Sequence, residues 1–231
     1  PITAKTPAPA PAPPPPPPQP SLATLLAGEP ARTSMDAAFQ SLFSLWSAQY
    51  VPGNGLACDQ ARQHGLACLW QRGSLAQLKL INRPAILALI DATGAAHQVV
   101  LAELGSDGAR LRIGDDSAEV PVAELADYWF GEFLVLWRPQ SAVQRPLRAG
   151  MSGEDVRWLR QGLEQVGGLA PSQPASDFFD VALERLVEDF QRSRRLSVDG
   201  VAGVQTQIVL DSELHMPGTP TLAGPPAEAG A

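Results

Sequence analysis

The chain has 231 residues, of which 45% are hydrophobic and 18% are charged, and its formal net charge is −7 at pH 7. This length favours two compact modules over one large one. The acidic balance argues against a nucleic-acid-binding protein, which presents clustered basic side chains. The longest apolar runs, AILALI at 85–90 and FLVLW at 133–137, fall far short of the roughly 20 residues of a membrane-spanning helix. Because the chain begins with Pro1 and shows no signal-peptide pattern, we expect a soluble fragment whose targeting signal lies upstream.

Both ends of the chain have compositions that disfavour a packed core. Residues 1–20 contain 11 of the 23 prolines, which favours a polyproline II linker that spans on the order of 60 Å at about 3.1 Å per residue. A plain disordered tail and a proline-rich ligand for an adaptor domain are the alternatives. The composition of residues 217–231 predicts a second unstructured segment, a disordered tail.

Region 21–140 begins with helical patterns and continues with strand patterns. Apolar residues at the spacing of one helix face predict a helix that starts near residue 33: these are Phe39, Leu42, Phe43 and Trp46. Shorter helices are expected at 57–64 and 74–81, with an extended segment between them. The runs AILALID, HQVVLAEL, ARLRIGDD and FGEFLVLWR then predict four antiparallel strands, so the fold class is α+β.

The two cysteines of the chain, Cys58 and Cys68, flank the Gly65 turn. A helix, a turn and a returning extended segment would bring position 68 back beside position 58. We therefore expect a structural disulfide formed in an oxidising compartment, with free thiols as the alternative. Metal binding is disfavoured because the chain has two cysteines and His64 alone adds little to them, and no cofactor is expected.

A polar, proline-flanked stretch at 138–146 marks a boundary, and region 141–216 has helical patterns throughout. Ser152 and Asp155 have the spacing of a capping box. Three amphipathic helices follow, and their apolar positions are Val156, Leu159, Leu163 and Val166, then Leu183, Leu186, Val187 and Phe190, then the run Val204 to Leu214. The sequence predicts a small all-α module of three helices.

This helical region resembles the peptidoglycan-binding type 1 family in a spaced set of residues: Gly150, Gly153, Asp155, Val156, Phe190, Gln191, Asp199, Gly200, Gly203 and Thr206. The resemblance implies binding of cell-wall peptidoglycan in a shallow groove near the 199–206 turn, with candidate contacts at Arg195, Leu196, Asp199, Gly200, Gly203 and Thr206. The alternative is that these residues are scaffold. Phe178 and Leu183 depart from the family pattern, which has Gly and Thr near those positions.

Region 21–140 resembles the bacteriocin-processing C39 cysteine peptidases, which have a papain-like fold. Two alanines, Ala37 and Ala38, match the nucleophile helix, and this alignment puts Ser34 where the family has its catalytic cysteine. His97 and Asp115 then stand at the positions of the base and of its orienting carboxylate. Since an alcohol is a much weaker nucleophile than a thiol, we expect a degenerate, non-catalytic domain. In the non-catalytic interpretation, Thr33 and Asp36 form a capping box on the helix.

In this chain a C39-like module and then a peptidoglycan-binding module follow a proline-rich linker. This order resembles the periplasmic region of the general secretion pathway protein A family of type II secretion systems. That resemblance implies an inner-membrane protein with an ATPase upstream. It also implies peptidoglycan, general secretion pathway protein B and the outer-membrane secretin as partners, and a possible homo-oligomer. Two alternatives stay open: a hydrolase that uses Ser34, His97 and Asp115, and a protein-binding platform that reuses the old cleft.

Overall fold

The structure is a computed structural model that describes residues 20–140 and 144–223. Most of the predicted linker, residues 1–19, and the last part of the predicted tail, residues 224–231, lie outside the described residues. No helix within the described part of the chain combines the length and the hydropathy that crossing a membrane would need.

The first module is a six-stranded sheet with helices on both of its faces. Its helices are α1 (Leu22–Leu26), α2 (Met35–Leu45), α3 (Ala57–Gln63), α4 (Leu75–Ile81) and α5 (Val122–Tyr128), and a 3₁₀ turn covers Pro30–Thr33. Its strands are β1 (Ala67–Arg72), β2 (Ala85–Ile90), β3 (Ala96–Leu104), β4 (Gly108–Ile113), β5 (Asp116–Pro121) and β6 (Trp129–Trp137). Every neighbouring pair in the order β1-β6-β2-β3-β4-β5 is antiparallel, which confirms the α+β prediction.

The sheet separates two apolar layers, because successive strand residues point to opposite faces. In β2, Ile86 packs with α2, whereas Ala85 and Leu87 pack with α1, α4 and α5 on the other face. The apolar stripe predicted for α2 is buried as expected, with Leu42 and Phe43 fully inaccessible. The disulfide between Cys58 and Cys68 is present, with a Cα–Cα distance of 5.7 Å, and it joins α3 to β1.

Two elements of the first module have no strong sequence pattern. In β5 only Val120 is buried and Ala118 is half-buried, because this strand forms an edge of the sheet and its other side chains face solvent. Helix α5 likewise buries only Leu125. A periodic apolar pattern in the sequence indicates that one face of an element is buried. An element that buries a single residue has no such pattern, so its sequence predicts a connecting loop.

The second module consists of α6 (Glu154–Val166), α7 (Val181–Ser193) and α8 (Val204–Glu213), which confirms the three predicted helices. The predicted capping box is wrong: the N-cap is Gly153, without a side-chain cap. Asp155 is 8% exposed and accepts hydrogen bonds from Nε and Nη2 of Arg145 at 3.1 and 3.0 Å. Its Oδ1 also accepts from the Val156 amide at 3.0 Å, so the carboxylate binds both an arginine and the first turn of the helix.

The two modules meet at a buried interface. Arg83 Nη2 donates to Asp211 Oδ2 at 2.6 Å, and both side chains are almost fully buried. Beside this pair, the Ser212 hydroxyl donates to the Ile81 carbonyl at 2.7 Å. Ile208 of α8 packs in the core of the first module rather than in the core of the second. The modules are therefore joined by apolar packing as well as by polar contacts.

Residues 219–223, which we call the strap, return from the second module to the first. Leu222 is 2% exposed within the first core, and its carbonyl accepts from the Leu104 amide at 2.8 Å. The Leu222 amide donates to Asn82 Oδ1 at 3.0 Å. The sequence predicts an unstructured tail over residues 217–231, but the structure differs from this prediction at the start of that segment. Leu222 is buried there in an apolar site that only the folded first module provides.

Candidate functional site

His97, near the start of β3, is the centre of the candidate site of the first module. Its ring is 9% exposed and lies between two polar side chains. Nδ1 is 3.0 Å from the Thr33 hydroxyl, and Nε2 is 3.1 Å from Asp91 Oδ2. A hydroxyl, an imidazole and a carboxylate in this order have the arrangement of a hydrolase triad.

Asp91 is held by the turn between β2 and β3. Its Oδ1 accepts hydrogen bonds from the Thr93 hydroxyl at 2.6 Å, the Thr93 amide at 2.8 Å and the Ala95 amide at 2.9 Å. The Thr93 hydroxyl first, and then the His97 ring and the Ala95 amide, hold the pKa of Asp91 well below its ordinary value. The ionised carboxylate can only accept, so the His97 tautomer that fits this contact carries its proton on Nε2. Nδ1 then accepts from the Thr33 hydroxyl.

Ser34 does not take part in this arrangement. It is the N-cap of α2, and its Oγ accepts from the Ala37 amide at 3.2 Å. The residue that reaches His97 is Thr33, at the end of the preceding 3₁₀ turn. The capping box proposed from the sequence is also corrected, since Ser34 rather than Thr33 caps the helix and Asp36 accepts from the Tyr50 hydroxyl at 2.6 Å.

Asp115 is not brought to His97 either. The β3–β4 pairing includes Val100↔Arg112, and a continued ladder would place position 115 opposite position 97. Strand β4 ends at Ile113, however, and Gly114, with φ 61°, turns the chain into β5. Asp115 therefore stays exposed in a hairpin turn, and Asp91 supplies the carboxylate in its place. The sequence signal for Asp91 is its place in the DATG turn one residue after β2.

The site has the base and carboxylate of a cysteine peptidase but no thiol. Both cysteines of the chain are bound to each other in the disulfide, and Thr33 is 6% exposed. A cleft of about 790 Å³ lies alongside, lined by residues that include Arg32, Ala37 and Asp115. The threonine hydroxyl is a much weaker nucleophile than a thiolate, so the arrangement is suited to holding α2 against β3.

In the second module, Gln191 organises the turn that carries the family motif. Its Nε2 donates to Asp199 Oδ1 at 2.8 Å and to Thr206 Oγ1 at 3.3 Å, and its Oε1 accepts from the amides of Asp199 and Gly200 at 3.1 Å. Gly200 has φ 69°, and a Cβ there would lie 3.0 Å from Cγ of Glu184. These motif residues build the turn itself.

The remaining candidate contacts lie around this turn. Arg195 is exposed, with φ 55°, whereas Leu196 is half-buried against the module's core. Gly203 is the N-cap of α8. The structure thus brings all six candidates into one region, but Asp199, Gly200 and Thr206 are hydrogen-bonded to Gln191, whereas Arg195 is exposed.

A groove of about 270 Å³ lies between α6 and α7, and Arg194, the neighbour of Arg195 in the sequence, is part of its lining. Its floor is apolar and its rim polar, and its lining includes Leu163, Val166, Leu186, Phe190, Ser193 and Arg194. The guanidinium of Arg194 lies 5.5 Å over the Phe190 ring and donates to Glu213 at 2.8 and 3.1 Å. The sequence does not predict this groove, because its apolar residues belong to the same helical stripes of apolar residues that form the core.

Comparisons with known proteins agree with this two-module architecture. Residues 25–139 match the family described as GspA, peptidase C39-like domain, and residues 152–210 match the peptidoglycan binding domain family. General secretion pathway protein A of Aeromonas hydrophila is 33% identical over 178 residues, which cover 76% of this chain and 32% of the relative. This chain belongs to the general secretion pathway protein A family.

Two further comparisons support the family assignment. A curated relative from Escherichia coli (strain K12) is 27% identical over 173 residues, covering 75% of this chain and 35% of the relative. The crystal structure of a periplasmic domain of the EpsAB fusion protein of the Vibrio vulnificus type II secretion system is 26% identical, covers 82% of each chain and has a TM-score of 0.54. The chain spans about a third of the length of the curated general secretion pathway A proteins it matches.

Proposed function

We propose that this chain is the periplasmic, peptidoglycan-binding part of an inner-membrane component of type II secretion, and that it helps the outer-membrane secretin to assemble through the cell wall. The carrying observation is the match of residues 152–210 to the peptidoglycan binding domain family, in a chain of the general secretion pathway protein A family. The disulfide between Cys58 and Cys68 supports an oxidising compartment such as the periplasm.

The α6–α7 groove and Arg195 are the proposed wall-binding surface. An apolar floor with a few polar groups at the rim suits a ligand that has both apolar faces and hydrogen-bonding groups, as peptidoglycan has. Asp199, Gly200, Gly203 and Thr206 contribute by holding the turn that presents Arg195. Leu196 contributes by anchoring that turn to the core.

Sedimentation with purified sacculi tests this surface. We expect the parent chain to be retained, and we expect Ser193→Trp, which fills the groove from an exposed position, to lose most of that retention. Gln161→Trp, on an exposed position of α6, is the matched control and should behave as the parent. Equal retention of the two variants would place the wall-binding surface elsewhere, and absence of parental retention would reject wall binding.

The C39-like module is proposed to be non-catalytic. The support is geometric: His97, the candidate base, has its carboxylate partner Asp91, but Thr33 stands at the nucleophile position and Ser34 is used as a cap. The hydrolase alternative with Ser34, His97 and Asp115 is disfavoured because the three side chains do not meet. Chromatography of muropeptides released from sacculi should show no release by the parent, and release that disappears in Ser34→Ala would contradict the proposal.

General secretion pathway protein B and the secretin are the proposed protein partners, with the C39-like module as the docking platform. Support comes from the large polar cleft beside α2, where Arg32 and Arg112 lie near Asp115 and Asp116. Surface plasmon resonance with the periplasmic region of general secretion pathway protein B should detect binding to the full chain. Binding that is unchanged by Gln40→Trp, which obstructs the cleft, would argue against this platform.

A further inference from the structure

Two aromatic side chains stand uncovered on one face of the sheet in the first module. Trp70 of β1 is 54% exposed, and Phe130 of β6 is 59% exposed. Neither residue lines the cleft beside α2 or the groove between α6 and α7. The surfaces proposed above for wall binding and partner binding therefore contain neither ring.

The register of the sheet puts both rings on the same face. Trp70 pairs with Leu134, and Arg72 pairs with Glu132, and residues directly opposite each other in antiparallel strands share a face. Phe130 lies two positions before Glu132 on β6, so it belongs to this face as well. The row, which we call the aromatic stripe, consists of Trp70, Arg72, Glu132 and Phe130. Its two ends lie about 13 Å apart along the strand direction, at about 3.3 Å per residue.

The aromatic stripe lies where the helical layer on this face ends. Helices α2 and α3 cover the other end of the same two strands, because Leu134, Leu136 and Cys68 pack in their apolar layer. All four side chains of the stripe are exposed. Rings that are more than half exposed on a sheet face form an open platform rather than a pocket.

The backbone beneath the aromatic stripe is held by close pairing of β1 and β6. The Gly73 amide donates to the Gly131 carbonyl at 2.9 Å, and a Cβ on Gly131 would lie 2.7 Å from the Gly73 carbonyl oxygen. Gly131 also has φ 97°, which a residue with a side chain rarely adopts. Arg72 Nε donates to the Phe130 carbonyl at 3.1 Å. Phe130 is therefore presented from a fixed backbone, which lowers the entropic cost of binding a ligand.

The chemistry of the aromatic stripe selects an uncharged ligand with apolar faces and polar edges. Arg72 and Glu132 lie opposite each other on the ladder, so their charges cancel locally and a charged ligand gains little. Sugar rings match this surface, because the C–H groups of a sugar face stack on an aromatic ring. Their hydroxyl groups bond to guanidinium and carboxylate groups. An apolar side chain of a protein partner would instead need a pocket.

We infer that the aromatic stripe is a second contact of this chain with the cell wall and binds the glycan strand of peptidoglycan. This inference rests on the proposed function, since it takes its ligand from the wall-binding role of the second module. The two rings are farther apart than the width of one sugar, so they stack on different sugars of one strand. Two contacts held in one chain bind a polymer more tightly than either contact alone.

Binding to glycan strands that an amidase has freed from their stem peptides tests the inference. The full chain with Ser193→Trp, whose groove is filled, should bind these strands in biolayer interferometry. In that background Trp70→Ala and Phe130→Ala should each weaken binding at least about tenfold, whereas Trp70→Tyr, which keeps a ring, should retain most of it. Phe178→Ala is the matched control, because Phe178 is an exposed aromatic residue outside the stripe and the groove.

Two outcomes would overturn the glycan contact: no binding of the strands by the Ser193→Trp chain, or equal affinities of the stripe variants and Phe178→Ala. Self-association that disappears in Trp70→Ala while glycan binding stays, measured by sedimentation velocity, would also overturn it, because a second copy would then occupy the stripe. Phe130→Ala serves if Trp70→Ala fails to fold.

Failure of the glycan contact is distinguishable from failure of the proposed function. Retention of the parent on sacculi that Ser193→Trp reduces would support the wall-binding groove even when the aromatic stripe binds no glycan. Absence of parental retention would instead reject wall binding itself.

Discussion

The Thr33 hydroxyl lies 3.0 Å from Nδ1 of His97, on the side of the ring opposite Asp91. The residue next to it in sequence, Ser34, faces the helix backbone instead. The position from which a nucleophile would reach the base is therefore Thr33. This relationship makes the proposed loss of activity testable, because the candidate base and its carboxylate are in place.

Thr33→Cys should produce an activated thiol. A sulfur beside His97, whose far nitrogen is held by Asp91, is stabilised as a thiolate in an ion pair with the imidazolium, and we expect its pKa to fall about two units or more below the ordinary value. Ultraviolet absorbance of the thiolate at varied pH measures this without requiring access to a reagent. Ser34→Cys is the matched control and should keep the higher pKa of the two, and the reverse order would contradict the assignment of Thr33.

Asp91→Asn should remove a pH dependence of stability. Hydrogen bonds lower the pKa of Asp91 in the folded chain below its ordinary value of 3.8. The unfolded chain therefore binds the proton first, so the stabilisation from Asp91 is complete above about pH 5 and is lost as pH falls below the ordinary pKa. Thermal unfolding midpoints measured downward from pH 7 should converge for parent and variant in acid. A constant difference between them would exclude this role, and exposed Asp127→Asn is the control.

The Tyr50 hydroxyl should lose its proton at a much higher pH than the hydroxyl of an ordinary tyrosine. Its hydroxyl donates to Asp36 at 2.6 Å, and this bond, followed by burial, raises its pKa from 10.0 to about 12. The associated stabilisation is present below pH 10 and is lost as pH rises toward 12. Difference absorbance at 295 nm resolves the step, since Tyr128 is the only other tyrosine. The late step should vanish in Tyr50→Phe and move to lower pH in Asp36→Asn.

Asp211→Ala should destabilise the chain strongly. It leaves the Arg83 charge buried without its partner, which costs about 3–5 kcal/mol of unfolding free energy. Denaturant titration followed by tryptophan fluorescence measures the loss. Replacing both residues by apolar ones, Arg83→Met with Asp211→Leu, should recover much of it, because no uncompensated charge remains. Asp189→Ala, which breaks the exposed pair with Arg192, should cost less than about 1 kcal/mol.

Local patterns of the sequence determined most of the secondary structure and the disulfide. The stripe of Leu42 and Phe43 predicts α2, and the three helices of the second module follow from the same period, because burial of one face recurs every three to four residues. Cys58 and Cys68 lie close enough in sequence for a single turn to bring them together. The two family resemblances likewise rest on local motifs, and the family comparisons confirm them.

Tertiary structure alone decided which side chains meet. His97 pairs with Asp91 instead of Asp115 because β4 ends at Ile113. The alternation of apolar and polar residues in the sequence does not indicate where this strand ends. Thr33 replaces Ser34 because a one-residue offset at a helix start reverses which side chain faces the sheet. The Arg83–Asp211 pair spans 128 positions. Contacts between residues so far apart in the sequence depend on how whole elements pack. The local sequence pattern around either residue does not predict them.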